Sequence, residues 1–305
     1  MIVARTIAEA RAALRELPRP LGFTPTMGAL HEGHLNLVDA ARARCAAVAA
    51  SIFVNPTQFG RGEDLAKYPR DESRDLGLLE ARGVDVVFAP EADEMYPEGF
   101  ATQVHVGGAL TEQFEGASRP SHFDGVAVIV VKLLGVVRPD VLLLGQKDAQ
   151  QLAVVRRFVR DLDLPVEAVA VPTVREADGL AMSSRNAYLT PDERAAAPGL
   201  YRALLVGAAT AESGEPADDV VTVTARALLS SSDANASLGA AAPLDEHTPF
   251  DVEYVAVVDA DGFEQLHQTI GPRSLLVAAV RLGSTRLIDN IPLIPSAYPA
   301  EDATT

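Results

Sequence analysis

The 305-residue chain has a single cysteine, Cys45, so no internal disulfide framework can form, and a lone thiol fits a reducing cytoplasm. Lysine is almost as scarce: of 26 basic side chains only Lys67, Lys132 and Lys147 are lysines. Long apolar runs are missing too. The stretch Val126–Val137 is interrupted by Lys132 and Gly135 and falls well short of the ~18 apolar residues that a membrane span requires. The first twenty residues carry charge through their opening turns and have no apolar core of signal-peptide length. These features read as a soluble cytoplasmic protein. Three familiar signatures are also absent: the G-x-x-x-x-G-K-[ST] loop, G-x-G-x-x-G after the first strand, and the G-x-S-x-G elbow.

Positive charge is in deficit, with 42 acidic side chains against 26 basic ones and a formal charge of −16. A polyanion of this kind repels nucleic acid and anionic membranes, which excludes broad contact with either. The deficit is uneven. Residues 1–175 carry 19 basic and 23 acidic side chains, a balance of −4, and residues 176–305 carry 7 and 19, a balance of −12.

What is present is a regular alternation. Leu21–Thr24, Val48–Val54, Val84–Phe88, Val141–Leu144 and Val166–Val171 are short aliphatic runs bounded by Gly, Pro or charge, and they read as buried parallel strands. Leu35–Arg44, Glu72–Arg82, Val126–Val137 and Ala149–Asp161 are long enough for the intervening helices. Such alternation predicts βαβ units, with ligands bound at the carboxyl ends of the strands. Asp93–Ser121 reads as a long excursion or lid. After residue 175 the pattern changes. Thr190-Pro191-Asp192-Glu193 is a capping box opening an Ala-rich helix, Ala211–Asp219 and Ser230–His247 read as loops, and Val252–Val258 and Ser274–Leu282 read as antiparallel strands. The predicted organisation is a domain over 1–175, a smaller one over 176–294, and a disordered tail over 295–305.

Four clusters carry chemistry. The first follows the first long strand, Met27-Gly28-Ala29-Leu30-His31-Glu32-Gly33-His34. A strand passing through glycine into a helix start presents backbone N–H groups as an anion site, and two histidines spaced i,i+3 can donate imidazole N–H to phosphate oxygens. The zinc pattern H-E-x-x-H is not met, because one residue rather than two separates Glu32 from His34. The second cluster, Ser51 to Phe59, ends a strand in Asn55 and Gln58; taken alone it reads as an ordinary Asn-Pro turn. The third, Gly145-Gln146-Lys147-Asp148, is again strand, glycine and helix start. Lys147 there is either a phosphate ligand or a surface residue of a capped turn. The fourth, Met182-Ser183-Ser184-Arg185-Asn186, is a clamp for phosphates or simply a polar interdomain loop.

Taken together, PTMGALHEGHL, SIFVNPTQF, DLAKYPR, EGASRPSHFDGV, GQKDAQQL, VPTVREADGLAMSSRNAYLT and RLIDN resemble the pantothenate synthetase (pantoate–β-alanine ligase) family, in order and over nearly the whole chain. The resemblance implies a Rossmann-like parallel sheet of the nucleotidylyltransferase superfamily flanked by helices, with a smaller α+β C-terminal domain. It implies a two-step reaction in which (R)-pantoate attacks Mg-ATP to form pantoyl adenylate and pyrophosphate, and β-alanine then displaces AMP. Carried over by position, Met27, Gly28, Ala29, Leu30, His31, Glu32, Gly33 and His34 contact ATP, with His34 the proton donor and His31 beside it. Gly145, Gln146, Lys147 and Asp148 contact ATP as well, Lys147 through the phosphates. Val174 lies on the adenine side, and Met182, Ser183, Ser184 and Arg185 form a closing loop. Gln58 and Gln151 hold pantoate, Gln58 also serving β-alanine. A homodimer is implied in the same way. Two other readings share the first cluster: a nucleotidylyltransferase acting on a phosphate monoester, which leaves Gln58 and Gln151 without a purpose, and a catalytically silent nucleotide sensor.

Overall fold

In the computed structural model, which describes residues 1–60, 62–230 and 250–293, the apolar runs of the first half become a parallel sheet. In chain order the elements are β1 (Ile2–Ala4), α1 (Ile7–Arg15), β2 (Leu21–Thr26), α2 (Glu32–Arg44), β3 (Ala47–Ile52), α3 (Glu72–Ala81), β4 (Val86–Phe88), α4 (Ala92–Met95), α5 (Ala109–Glu112), α6 (Glu115–Ser118), α7 (His122–Val137), β5 (Val141–Gly145), α8 (Ala149–Asp161) and β6 (Glu167–Val171). The six strands lie in the order β1-β4-β3-β2-β5-β6, every neighbouring pair parallel. The order reverses at β2, which pairs with β3 on one side and β5 on the other. That is the switch point at which open α/β sheets bind ligands, beyond the strands' carboxyl ends. Val38, Ala41, Val48, Leu79, Val87 and Leu143 are buried on one face of this sheet.

The chain continues through α9 (Pro191–Ala196), α10 (Gly199–Glu212), α11 (Ala217–Ser230), β7 (Phe250–Asp259), β8 (Ser274–Leu282) and β9 (Thr285–Pro292). The last three form an antiparallel sheet in the order β7-β8-β9. Leu204, Leu228, Val257 and Leu276 are fully buried among them. Gly207 allows α10 to press on α11: a Cβ there would lie 2.1 Å from the Oγ1 of Thr224, which is itself buried and donates to the Val220 carbonyl.

Several expectations need correction. Ala211–Asp219 is not a loop, since helices run into it from both sides and leave only Ser213–Pro216 between them. The helix after the Thr190 capping box stops at Ala196, because Pro198 begins a new one. Strand β9 escaped notice because Asp289 and Asn290, both polar, are buried within it. Strand β6 is only partly buried, at the edge of the sheet. Elements β1 and α1 were also missed, although Thr6 and Glu9 close a capping box at the start of α1. The segment 93–121 contains two one-turn helices, α5 and α6, and most of a third, α4. The polar loop expected over Ser230–His247 and the tail expected over 295–305 lie, beyond Ser230, outside the described residues. Among the described residues no helix is long and apolar enough to cross a membrane.

Two compact units can be separated, Met1–Gln146 with Gln150–Val174, and Lys147–Ala149 with Arg175 onward.

Candidate active site

In the first unit, β2 ends in a turn that runs through left-handed backbone at Gly28 (φ +77°) and Ala29 (φ +49°) before α2 begins. The turn is closed by a residue that the sequence did not single out. Asp75 of α3, 1% exposed, accepts from the amide N–H groups of Ala29 (2.7 Å) and Leu30 (2.9 Å), and Arg74 stands 3.4 Å from the same carboxylate. The Gly28 amide donates to Thr26 Oγ1 (3.2 Å). A side chain at Gly28 would meet Asp75 Oδ2 at 2.9 Å, so glycine is required there by space as well as by φ. The amides of Gly28, Ala29 and Leu30 are thus engaged inside the turn.

His31 is the N-cap of α2, and its Nδ1 accepts from the Gly33 amide (3.1 Å). His34 Nδ1 in turn accepts from the His31 amide (3.4 Å), so the two side chains form a reciprocal capping box with ring centroids 4.1 Å apart. With both Nδ1 atoms accepting, each neutral ring carries its proton on Nε2. Two imidazole N–H donors result, oriented by the helix start itself. Glu32 accepts from Arg82 (2.8 Å).

At the end of β3, Pro56–Gln58 forms a short 3-10 turn capped by Asn55. Asn55 is 1% exposed and fully used. Its Oδ1 accepts from Thr57 Oγ1 (2.9 Å) and Tyr96 Oη (2.8 Å), and its Nδ2 donates to Gln58 Oε1 (3.1 Å) and the Gly125 carbonyl (3.0 Å). With Oε1 accepting from Asn55, Gln58 presents Nε2, which lies 3.0 Å from Met27 Sδ. The first and second sequence clusters are thus joined side chain to side chain. Lys132, one of the three lysines, lies 4.7 Å from the Phe100 ring centre and 5.8 Å from that of Tyr96, a cation–π contact behind this wall.

The Gln58 main chain is held from a second direction. His122 Nδ1 lies 2.9 Å from the Gln58 carbonyl, and Arg119 Nη2 donates to the same oxygen (3.3 Å). Arg119 forks onto Glu63 through Nε (2.9 Å) and Nη2 (2.8 Å) and reaches His122 Nε2 through Nη1 (3.0 Å). Burial, then the neighbouring guanidinium, brings the His122 pKa down to about 4, so the ring is neutral and donates from Nδ1. The Arg119 fork holds the Glu63 carboxyl below its usual value. Further along, Gln150 is buried and structural: it accepts from the Glu115 amide (3.0 Å) and donates to the carbonyls of Leu110 and Gln113 (2.9 Å each). Gln151, next on α8, is half-buried, and Gln146 and Val174 belong to the same unit.

In the second unit, the Lys147 carbonyl accepts from Asn290 Nδ2 (2.9 Å), and the Lys147 ammonium stands 3.7 Å from Asp148. Arg175 grips Asp289 with two bonds (2.6 and 3.0 Å) and stacks 3.7 Å from the Tyr201 ring centre. Ser184–Tyr188 forms a 3-10 turn capped by Ser183, whose Oγ accepts from the Arg185 amide (3.3 Å). Asn186 fastens the base of that turn to Glu176 (3.0 Å) and to the Ala181 carbonyl (3.1 Å). The Met182–Arg185 loop is thus rooted on a braced hairpin.

These arrangements can be set beside known proteins. The family model described as pantoate-beta-alanine ligase matches residues 2–292. A pantothenate synthetase of Chloroflexus aggregans is 55% identical over 291 residues, covering 95% of this chain and 99% of its own. One of Gluconobacter oxydans is 50% identical over 293 residues, covering 96% and 100%. The crystal structure of pantothenate synthetase from Thermus thermophilus superposes with a TM-score of 0.87 at 47% identity, over 97% of this chain and 100% of that one. That of the Francisella tularensis ligase, described as complexed with beta-gamma ATP and beta-alanine, superposes at 0.76 and 29% identity, over 96% and 98%. A parallel sheet with its donors at the β2 switch point, and full-length similarity of this degree, lead to one assignment: the chain belongs to the pantoate–β-alanine ligase family.

Proposed function

We propose that this chain is an AMP-forming ligase that condenses (R)-pantoate with β-alanine to pantothenate, with ATP as co-substrate. In the first step a pantoate carboxylate oxygen bonds to the α-phosphorus as its bond to the pyrophosphate oxygen breaks. In the second the β-alanine nitrogen bonds to the acyl carbon, AMP leaves with the C–O electron pair, and the amine gives up a proton. Activation is needed because a free carboxylate resists amines.

His34, with His31 beside it, donates from Nε2 to phosphate oxygens as charge builds on the leaving pyrophosphate. Lys147 adds a point charge on the phosphates, with Gly145, Gln146 and Asp148 contacting ATP beside it. Gln58 and Gln151 bind pantoate, Gln58 also meets β-alanine, Val174 lines the adenine side, and Met182–Arg185 closes on the phosphates. The observation that carries this reading is the contact of Met27 Sδ with Gln58 Nε2, which puts the nucleotide motif against a fixed, uncharged amide donor suited to a carboxylate or hydroxyl. Mg2+ enters here as the counter-ion of substrate ATP, a reading that rests on the family resemblance. The chain acts in the cytoplasm as a homodimer, a reading that rests on its single thiol and on the family resemblance.

Exchange of labelled pyrophosphate into ATP should require pantoate and not β-alanine, and AMP should accumulate only with both acids. Exchange without pantoate would overturn the adenylate step. Light scattering that gives the mass of one chain would overturn the dimer.

A further inference from the structure

We infer that Arg119, His122 and Glu63 are positioning residues for substrate binding at Gln58, acting on its main chain rather than touching substrate. This rests on the proposed assignment of Gln58 to pantoate. A short 3-10 turn has few hydrogen bonds of its own, so the direction of the Gln58 amide depends on what holds the turn. It is held from two sides. At the head of the turn, its N-cap Asn55 fixes the side-chain oxygen. From the other side, Arg119 at the end of α6 and His122 at the start of α7 both bond the Gln58 carbonyl, and Arg119 is itself locked in direction by the Glu63 fork.

The packing beneath is equally close. A Cβ on Gly125 would fall 2.3 Å from the Thr57 carbonyl oxygen and 2.7 Å from the Gln58 Cα, so the turn rests directly on the helix backbone. His122 is the central piece because it faces both ways. Its Nδ1–H donates to the carbonyl, and its Nε2 lone pair receives Arg119. Glu63 follows the turn in the sequence, so the ion pair fastens the chain beyond Gln58 to the same α6–α7 junction that holds its carbonyl. Loss of the carbonyl clamp lets the turn swing, and a displacement of about 1 Å at a substrate-binding group is enough to be read in kinetics.

The experiment compares His122→Leu, which fills similar space without a donor, with His122→Asn, whose Nδ2–H sits the same number of bonds from Cβ as Nδ1–H. In His122→Leu the pantoate KM should rise at least ~10-fold while the ATP KM stays within about twofold, and His122→Asn should return the pantoate KM to within about threefold of wild type. Equal behaviour of the two variants, or an ATP KM that rises in step, would overturn the inference. If His122→Leu does not fold, Arg119→Lys and Glu63→Gln take its place, being partly exposed. Each should raise the pantoate KM by about fivefold or more, and an unchanged value in both overturns the inference. Wild-type enzyme without pantoate-dependent turnover would overturn the assignment of Gln58 together with the inference; wild-type turnover with unmoved variants overturns the inference alone.

Discussion

Replacing Asp75 tests whether a buried carboxylate holds the turn between β2 and α2 in shape. The turn places two consecutive residues in left-handed backbone, and for Ala29 this conformation costs roughly 1–2 kcal/mol. The Asp75 carboxylate offsets that cost with two charge-assisted bonds from adjacent amides. In Asp75→Ala both N–H groups lose their acceptor, at about 1–3 kcal/mol each where water cannot replace it. Leu30 is buried and Ala29 half-buried, while the turn can relax in part, so the expected loss is about 3 kcal/mol. Asp75→Asn keeps one acceptor and sets an NH2 donor against the other amide, for a loss of about 2 kcal/mol. Urea titration measures both as a lower midpoint with an unchanged slope. The ATP KM should rise about tenfold in either variant, because His31 and His34 hang from the far end of the same turn. A loss below about 1 kcal/mol in both variants, with an ATP KM within twofold of wild type, would refute the reasoning.

Other outcomes follow from the same geometry. His34→Ala should slow pantoate-dependent pyrophosphate exchange by about 10²-fold or more, as a preorganised donor to developing charge is worth that much, and a wild-type rate would move the chemistry elsewhere. Gln151→Ala should raise the pantoate KM more than the ATP KM in steady-state assays, and the opposite ranking would remove Gln151 from the pantoate site. Gly125→Ala drives a methyl group into the Thr57 carbonyl, so kcat/KM for pantoate should fall by about tenfold or more while circular dichroism still reports a folded chain. His122 also gives stability a pH dependence. Its folded pKa of about 4 lies below the ordinary 6.5, so the unfolded chain binds more protons between these values. The contribution is complete above about pH 6.5 and is lost as pH falls toward 4, roughly 3 kcal/mol in all. Arg119, Glu63 and Glu115 are the charged groups that face the ring, and His122→Asn should flatten this part of the curve of urea midpoint against pH.

The placement of the candidate site's segments was legible because they follow strands directly, and the aliphatic runs that mark β2, β3 and β5 also mark where those segments begin. Residues that act across long sequence separations were not legible. Asp75 lies 46 residues from Ala29 and reads in isolation as an acidic residue in the first turn of α3. Its burial decides its role, and burial of one carboxylate leaves no periodic trace. The same holds for Arg119 and His122, 61 and 64 residues from Gln58. Asn55 stood in a quoted motif, yet its turn looked ordinary because the partners that use its amide, Tyr96 and Gly125, come from elsewhere. Strand β9 failed for a related reason: Asp289 is buried against Arg175, and a paired charge inside a strand breaks the apolar pattern by which strands are found.

The reversal of strand order at β2 has a consequence for how the chain is made. The central strand gains its first neighbour, β3, soon after it leaves the ribosome, but its other edge waits for β5, and Leu21 and its partner Asp140 are 119 residues apart. At synthesis rates of about 5–20 residues per second, that edge stays bare for roughly 6–24 seconds. An unpaired, apolar strand edge is what chaperones shield and what neighbouring nascent chains can join. Because the Thr26–Leu30 turn is attached to this strand, it too waits on the interval before β5, a demand set by topology and unaffected by the chemistry of the finished site.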